Sequence, residues 1–194
     1  MNTPNKLTIL RMILVPFFLV TLTVSFPHNY LVALIIFSAA SLTDYFDGKM
    51  AREKNLITNF GKFLDPLADK MLTTAALLGF VVIGDEYIYG ALWVAFITLF
   101  REFIVSGIRL SAVADGGKVI AANIWGKAKT VSQMVAIIFI IFVQWLRVSL
   151  HLSGLPLSLM QTAGTMMLWL SAVLTVISGT IYVVQNAKYI DYRK

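Results

Sequence analysis

Four aspartates carry the most distinctive chemistry in this sequence. Asp44 and Asp47 are separated by three positions, and Asp65 and Asp69 by four. Residues at these separations lie on one face of a helix, so each pair directs two carboxylates the same way. Four carboxylates gathered in a low-dielectric site repel one another strongly. We therefore expect either that some of them are protonated or that they bind a cation between them.

A hard divalent cation suits this set of ligands, because such ions prefer oxygen donors. The chain contains no cysteine, and neither of its two histidines is near the aspartates, which argues against zinc. A lone aspartate near a helix end is usually a solvated cap, but four of the chain's ten acidic residues are not explained in that way. Magnesium or manganese is the predicted ion.

The composition indicates that these aspartates lie in a membrane protein. Of the 194 residues, 58% are hydrophobic and 13% are charged, compared with roughly 45–50% and about 25% in a soluble domain. A core of this size cannot hide so many apolar side chains, so a soluble protein is excluded. The absence of cysteine also excludes disulfides and cysteine nucleophiles.

Apolar runs predict the elements that position the aspartates. A transmembrane helix needs about 20 mostly apolar residues, and six such runs fall at 7–26, 29–48, 62–84, 88–110, 126–147 and 161–186. We therefore predict an all-α membrane bundle of six transmembrane helices, formed by a single domain over residues 1–194. The second and third helices run antiparallel, which brings the two acidic pairs to similar depth.

Basic residues predict the orientation of the bundle. Most lysines and arginines lie near one set of helix ends, so the positive-inside rule places both termini and the connections 49–62 and 111–126 in the cytoplasm. The net charge of +6 follows from this asymmetry, and we expect no nucleic-acid partner. The aspartates then lie at the cytoplasmic face of a multi-pass protein.

The segment that contains the aspartates resembles the signature of the CDP-alcohol phosphatidyltransferases. Besides the four acids, the sequence fills the signature positions with Gly48, Ala51, Arg52 and Gly61. Eight fixed residues at fixed spacing should arise by chance on the order of once in ten billion starts. The resemblance implies the family's six-helix membrane fold, with a polar site open to the cytoplasm.

Other segments narrow the resemblance. Residues 1–11, 101–110, 119–122 and 126–130 are similar to family members that use glycerol 3-phosphate as the acceptor. The resemblance then implies that a hydroxyl of glycerol 3-phosphate attacks the β-phosphorus of CDP-diacylglycerol, giving phosphatidylglycerophosphate and CMP. It also implies a symmetric homodimer in the cell membrane, with its active site facing the cytoplasm and the acyl chains in the lipid bilayer.

The resemblance assigns roles to the signature residues. Two magnesium or manganese ions per active site, about 4 Å apart, are expected on Asp44, Asp47, Asp65 and Asp69, and Asp69 is also the expected general base. The CDP-diacylglycerol site is expected to comprise Thr8, Arg11, Gly48, Ala51, Arg52 and Gly61. A helix cap and a membrane anchor are equally reasonable roles for Thr8 and Arg11.

The acceptor phosphate calls for a cationic pocket beside the metals, and the best candidates are Arg109, Lys127 and Lys129. Each of these residues could instead serve only to set the membrane topology. Arg101 and Glu102 lie deep in the fourth span, where pairing with each other or with another span is favoured over a chemical role.

Two alternatives to this function remain open from the sequence. The same chemistry could use another acceptor, such as inositol phosphate, serine or phosphatidylglycerol. A small ion-coupled transporter could use the carboxylates as a relay. Transport sites, however, typically lie near the membrane midplane between repeated halves, whereas these acids lie toward one face and no repeat is apparent. The transporter is therefore the remote alternative.

Overall fold

The computed structural model describes residues 3–53, 59–114, 124–151 and 153–186. Within these ranges, side chains are described except at 3–4, 44–53, 59–63, 65–66, 69 and 112–114. The described residues form six α-helices and no strand. The helices are α1 (Thr3–Thr23), α2 (Asn29–Glu53), α3 (Asn59–Ile83), α4 (Ala91–Ala114), α5 (Ile124–Ser149) and α6 (Gly154–Asn186).

The helices have the length and composition of a membrane protein. Among the described residues, four are long and apolar enough to cross a bilayer, namely Asn5–Thr23, Ala91–Ser111, Ile124–Ser149 and Gly154–Asn186. In α2 and α3 the described apolar stretches are shorter, Asn29–Thr43 and Lys70–Ile83. The prediction of an all-α, multi-pass membrane protein is confirmed, whereas the side on which the termini lie remains a prediction.

The sixth helix differs from the predicted span. It begins at Gly154, whereas the predicted apolar run begins at 161, after Pro156. Proline in the first turn of a helix costs no intrahelical hydrogen bond, since the N–H there has no partner within the helix. The turn therefore includes Pro156.

The six helices pack as a ring in the order α1, α2, α5, α6, α4, α3, with α3 also touching α5 across it. Consecutive helices run antiparallel. One end of the bundle, the termini end, therefore contains the starts of α1, α3 and α5 and the ends of α2, α4 and α6. The opposite end is the far end. This arrangement brings the acidic halves of α2 and α3 to the termini end, beside the start of α1.

The buried face of α1 changes from polar to apolar along the helix. Its buried residues recur at spacings of three or four, as one helix face requires. From the termini end to the far end they are Asn5, Thr8, Arg11, Val15, Phe18 and Leu22, together with Thr21, whose hydroxyl donates to the Phe18 carbonyl of its own helix at 2.7 Å. The Phe18 ring contacts the Phe37 ring of α2 at a centroid distance of 5.4 Å. The interior beside α1 is therefore polar at the termini end and apolar beyond it.

The outer surface of the bundle is apolar. Large hydrophobic side chains such as Phe17, Val82, Phe103 and Leu170 are exposed, and Phe103 retains 74% of its accessible surface. On a soluble protein, contiguous exposure of this kind marks an interface or a liability. On a membrane bundle it is the face that contacts lipid tails.

Candidate functional site

The four aspartates lie on two helices at the same end of the bundle. Asp44 and Asp47 belong to the last part of α2, and Asp65 and Asp69 to the first part of α3. Their side chains lie outside the described residues, as do those of Gly48, Ala51, Arg52 and Gly61. Binding of metal and of CDP-diacylglycerol by these eight residues stays a prediction.

Helix register relates the aspartate positions to the interior of the ring. In α2 the buried residues Ala33, Phe37 and Ala40 recur every three or four positions, and 44 and 47 continue that series. In α3 the positions 65 and 69 precede the buried Leu72 and Ala76 at the same spacing. The four positions are therefore in register with the buried faces of their helices.

Thr8 and Arg11 are buried in α1, the helix that packs against both α2 and α3. Thr8 is 1% exposed and Arg11 is 2% exposed. An arginine that only anchors a helix extends its guanidinium to the lipid headgroups, so this degree of burial disfavours the anchor role. Both side chains belong to the polar part of the bundle interior.

A cluster of charged side chains lies between α3, α4, α5 and α6 and is centred on Glu102. Glu102 Oε1 is 2.7 Å from Lys129 Nζ and 3.0 Å from Arg101 Nη1, and Glu102 Oε2 is 3.4 Å from Lys70 Nζ. Lys70 Nζ also donates a hydrogen bond to Ser106 Oγ. The predicted pairing of Arg101 and Glu102, with each other and with another helix, is confirmed.

Arg101 reaches α6 from this cluster. Its Nη2 donates to Ser178 Oγ at 3.2 Å, and its side chain passes over Gly179. A Cβ atom at Gly179 would lie 2.7 Å from Arg101 Cγ, so the close approach of α4 and α6 depends on glycine at this position. The cluster thus ties four of the six helices together in the part of the bundle nearer the termini end.

The three candidates for the acceptor phosphate differ in their surroundings. Lys129 is 7% exposed and forms the ion pair with Glu102. Arg109 and Lys127 are exposed near the termini-end ends of α4 and α5. The structure therefore brings Lys129 to Glu102, whereas the other two face the surroundings. Their role in binding the acceptor stays a prediction.

Two of the residues in and around the cluster, Lys70 and Gly179, were missed in the sequence. Lys70 directly follows Asp69 and resembles one more basic residue of the predicted cytoplasmic face. A signal was present, because an acid such as Glu102 inside an apolar run needs a cationic partner on another span. The sequence does not reveal which lysine that partner is.

A cavity of about 330 Å³ lies between α3 and α4 and extends to Lys129 of α5. Its polar lining comprises Lys70, Thr73, Thr74, Thr98, Glu102, Ser106 and Lys129. The exposed apolar side chains Leu67, Met71 and Phe103 form the outer rim. The volume is at the lower end of the range of small-molecule sites; most of the lining surface is apolar, and its charged groups are Lys70, Glu102 and Lys129.

Comparison with known proteins places this arrangement in a family. The sequence pattern described as CDP-alcohol phosphatidyltransferase matches residues 1–177. The chain belongs to the CDP-alcohol phosphatidyltransferase family. A CDP-diacylglycerol--glycerol-3-phosphate 3-phosphatidyltransferase of Bacillus subtilis (strain 168) is 38% identical, over 95% of both chains. Its counterpart in Rickettsia bellii (strain RML369-C) is 34% identical, over 97% of both. A probable phosphatidylglycerophosphate synthase of Mycobacterium tuberculosis (strain ATCC 25618 / H37Rv) is 40% identical, over 94% of this chain and 80% of that one.

Membership of the CDP-alcohol phosphatidyltransferase family confirms the resemblance found in the aspartate motif. The match extends beyond the motif through α4 and α5 and into α6. In α6 the sequence offered no recognisable signal. The family is one of transferases, which decides against the ion-coupled transporter.

Proposed function

We infer that this chain transfers the phosphatidyl group of CDP-diacylglycerol to sn-glycerol 3-phosphate, giving phosphatidylglycerophosphate and CMP. The observation that carries this inference is the near full-length identity of 34–38% to relatives named for that reaction. The bacterial relatives also support a location in the cell membrane.

The four aspartates are the proposed ligands of two divalent ions. Their oxygen chemistry fits magnesium or manganese, and the helix register of α2 and α3 supports their convergence. When bound, such ions neutralise charge on the attacking and leaving oxygens of a phosphoryl transfer. This chain contributes the placement of four carboxylates on two helices that both pack against α1.

The donor is proposed to bind between α1 and the acidic halves of α2 and α3. The guanidinium of the buried Arg11 offers a planar fork of donors that matches a phosphate, and Thr8 lies one turn away on the same face. The small residues Gly48, Ala51 and Gly61 leave room for the nucleotide, and Arg52 supplies a second guanidinium for the diphosphate.

Asp69 is the proposed general base. Its carboxylate takes the proton of the acceptor hydroxyl while the hydroxyl oxygen forms a bond to the β-phosphorus of CDP-diacylglycerol. The bond between that phosphorus and the oxygen that links it to CMP breaks, and CMP leaves with the electron pair. This role requires an ionised carboxylate, the form that bound divalent cations would favour.

Arg109, Lys127 and Lys129 are the proposed ligands of the acceptor phosphate. Lys127 and Lys129 lie in the first two described turns of α5, and Arg109 lies in the last described turns of α4, so all three are in the part of the bundle nearer the termini end. By the positive-inside rule this end faces the cytoplasm, where glycerol 3-phosphate is available, and a homodimer of such sites is proposed.

A panel of acceptors tests this function. Purified protein is incubated with CDP-diacylglycerol, magnesium and, separately, glycerol 3-phosphate, inositol phosphate, serine or phosphatidylglycerol, and CMP release is followed. We expect CMP and phosphatidylglycerophosphate in equal amounts from glycerol 3-phosphate. Turnover with serine but not with glycerol 3-phosphate would overturn the choice of acceptor.

A further inference from the structure

Glu102 holds two lysines from different helices with its two carboxylate oxygens. Oε1 lies 2.7 Å from Lys129 Nζ of α5, and Oε2 lies 3.4 Å from Lys70 Nζ of α3. Two ammonium groups held this close together repel each other unless a carboxylate lies between them. Lysine side chains also lose considerable rotamer freedom when they are fixed. The Glu102 carboxylate is therefore the group that holds both lysine ammonium groups in place.

The two lysines line one cavity. Lys70, Lys129 and Glu102 belong to the polar lining of the 330 Å³ space between α3 and α4, together with the Ser106 hydroxyl that accepts a hydrogen bond from Lys70. Lys70 retains 39% of its side-chain exposure, so its side chain is not enclosed by the protein. Among the described residues, the lining carries two positive charges and one negative charge.

Arg101 has a separate task in the same cluster. It contacts Glu102 Oε1 at 3.0 Å, and its other terminal nitrogen contacts Ser178 on α6. Its side chain lines the groove between α4 and α6. Arg101 therefore holds Glu102 from the α6 side, while the lysines occupy the side that faces the cavity.

The cluster is also linked to the proposed chemistry through α3. Lys70 is the residue that follows Asp69. The contact between Lys70 and Glu102 therefore fixes one turn of α3 against α4, and that turn carries the proposed base. A ligand phosphate bound by Lys70 and Lys129 would lie beside that turn.

We propose that Glu102 is a positioning residue for acceptor binding, which holds the Lys70 and Lys129 ammonium groups on the cavity wall where they engage the phosphate of glycerol 3-phosphate. The proposal rests on the proposed function and adds Lys70, Ser106 and Glu102 to it. A phosphate monoester is matched by fixed charged donors, and donors fixed before binding raise affinity because less freedom is lost on binding.

The test is Glu102→Gln, which keeps the shape of the side chain and removes its charge. We expect the KM for glycerol 3-phosphate to rise about tenfold, while kcat and the KM for CDP-diacylglycerol change less than about twofold, the pattern of a lost binding interaction. Glu102→Asp, which keeps the charge, should recover part of the loss. The matched control is Glu86→Gln in the exposed connection at the far end, which should leave all constants unchanged.

A second variant, Lys70→Gln, serves if Glu102→Gln does not fold. It should raise the same KM, and the double variant should lose little more than either single variant, because both act through one contact. A fully additive double variant would contradict this shared action.

The outcomes separate this proposal from the function on which it rests. Wild-type protein that releases no CMP with glycerol 3-phosphate overturns the proposed function. Active wild-type protein, with an unchanged or lower KM for glycerol 3-phosphate in Glu102→Gln, overturns only the positioning role. A lower melting temperature with equal effects on both substrates assigns Glu102 a structural role, and this also overturns the proposal.

Discussion

The two halves of the bundle are built from the same six helices but enclose different interiors. Toward the far end, most of the large buried side chains are aromatic and aliphatic, among them Phe18, Leu77, Phe80, Ile137 and Ile141, with Gln144 as the polar exception. Toward the termini end, the buried side chains include Asn5, Thr8, Arg11, Lys129 and Gln133. Burial of polar groups in a membrane costs free energy unless they are paired. The far half therefore forms an apolar core, and the termini half contains the residues of the proposed function.

The two halves also differ in the groups that their polar side chains contact. At the far end, Asn29 Nδ2 donates to the carbonyl oxygens of Thr21 and Val24 at 3.1 and 3.3 Å, which closes the connection between α1 and α2. In the termini half, Glu102 instead joins Lys70 of α3 and Lys129 of α5 at a cavity. The Asn29 amide thus satisfies backbone carbonyl oxygens at a helix connection, whereas the Glu102 cluster lines a cavity where a ligand could bind.

The largest expected effect comes from Asp69→Asn in the termini half. Removal of a general base costs about 10²–10⁴-fold in rate, and because Asp69 is also a proposed metal ligand we expect a loss near the upper limit. CMP release measures the rate, and metal binding should persist in part. Asp85→Asn, in the exposed connection at the far end, is the matched control. Unchanged turnover in Asp69→Asn would refute the assigned role.

The second largest effect is expected in the far half, and it should change only the stability of the protein. Phe80→Ala removes a fully buried ring and is expected to cost about 3 kcal/mol, the low end for soluble cores, because helix packing in lipid lacks the drive of water exclusion. The melting temperature in detergent should fall, while kcat and both KM values of the folded fraction stay unchanged. A change in either KM would break the division between the two halves.

Arg11→Lys tests the polar part of α1 with a smaller expected effect. An ammonium group does not reproduce the planar fork of a guanidinium, so we expect the KM for CDP-diacylglycerol to rise about tenfold, or ~1.4 kcal/mol. Arg147→Lys is the control, because that guanidinium lies 3.7 Å from the centroid of the Tyr87 ring at the far end. Equal KM values in wild type and Arg11→Lys would contradict a role in donor binding.

The smallest effect is expected at the contact of α4 with α6. Gly179→Ala places a Cβ atom 2.7 Å from Arg101 Cγ, and relief of that overlap should cost about 1 kcal/mol of stability. Gly107→Ala is the control, since no described atom lies within 4 Å of the position that its new Cβ atom would take and alanine favours the helix. A melting temperature that falls equally in both variants would remove Gly179 from the account of the cluster.

The sequence predicts the fold and the family well, because apolar run length and motif spacing are local properties. Residues 29–48 were predicted as a span and lie within α2, and the aspartate motif identified the family. The start of α6 was misplaced because Pro156 reads as a break although a first turn accepts it.

The partners of Glu102 could not be predicted in the same way. They depend on the order of helices in the ring, which places α4 between α3 and α6 and brings Lys129 of α5 to the same carboxylate. Spacing along one helix carries no information on that order. For the same reason, Lys129 was grouped with Arg109 and Lys127, although its surroundings differ from theirs.

Manganese binding tests the central claim most directly, which is that the termini half holds divalent ions between the aspartates of α2 and α3. Titration of purified protein with Mn²⁺, followed by electron paramagnetic resonance, should show about two ions per chain that are spin-coupled, as expected for ions about 4 Å apart. The double variant Asp44→Asn with Asp65→Asn should lose this signal. Stoichiometry and coupling that are the same in wild type and in the double variant would contradict the account.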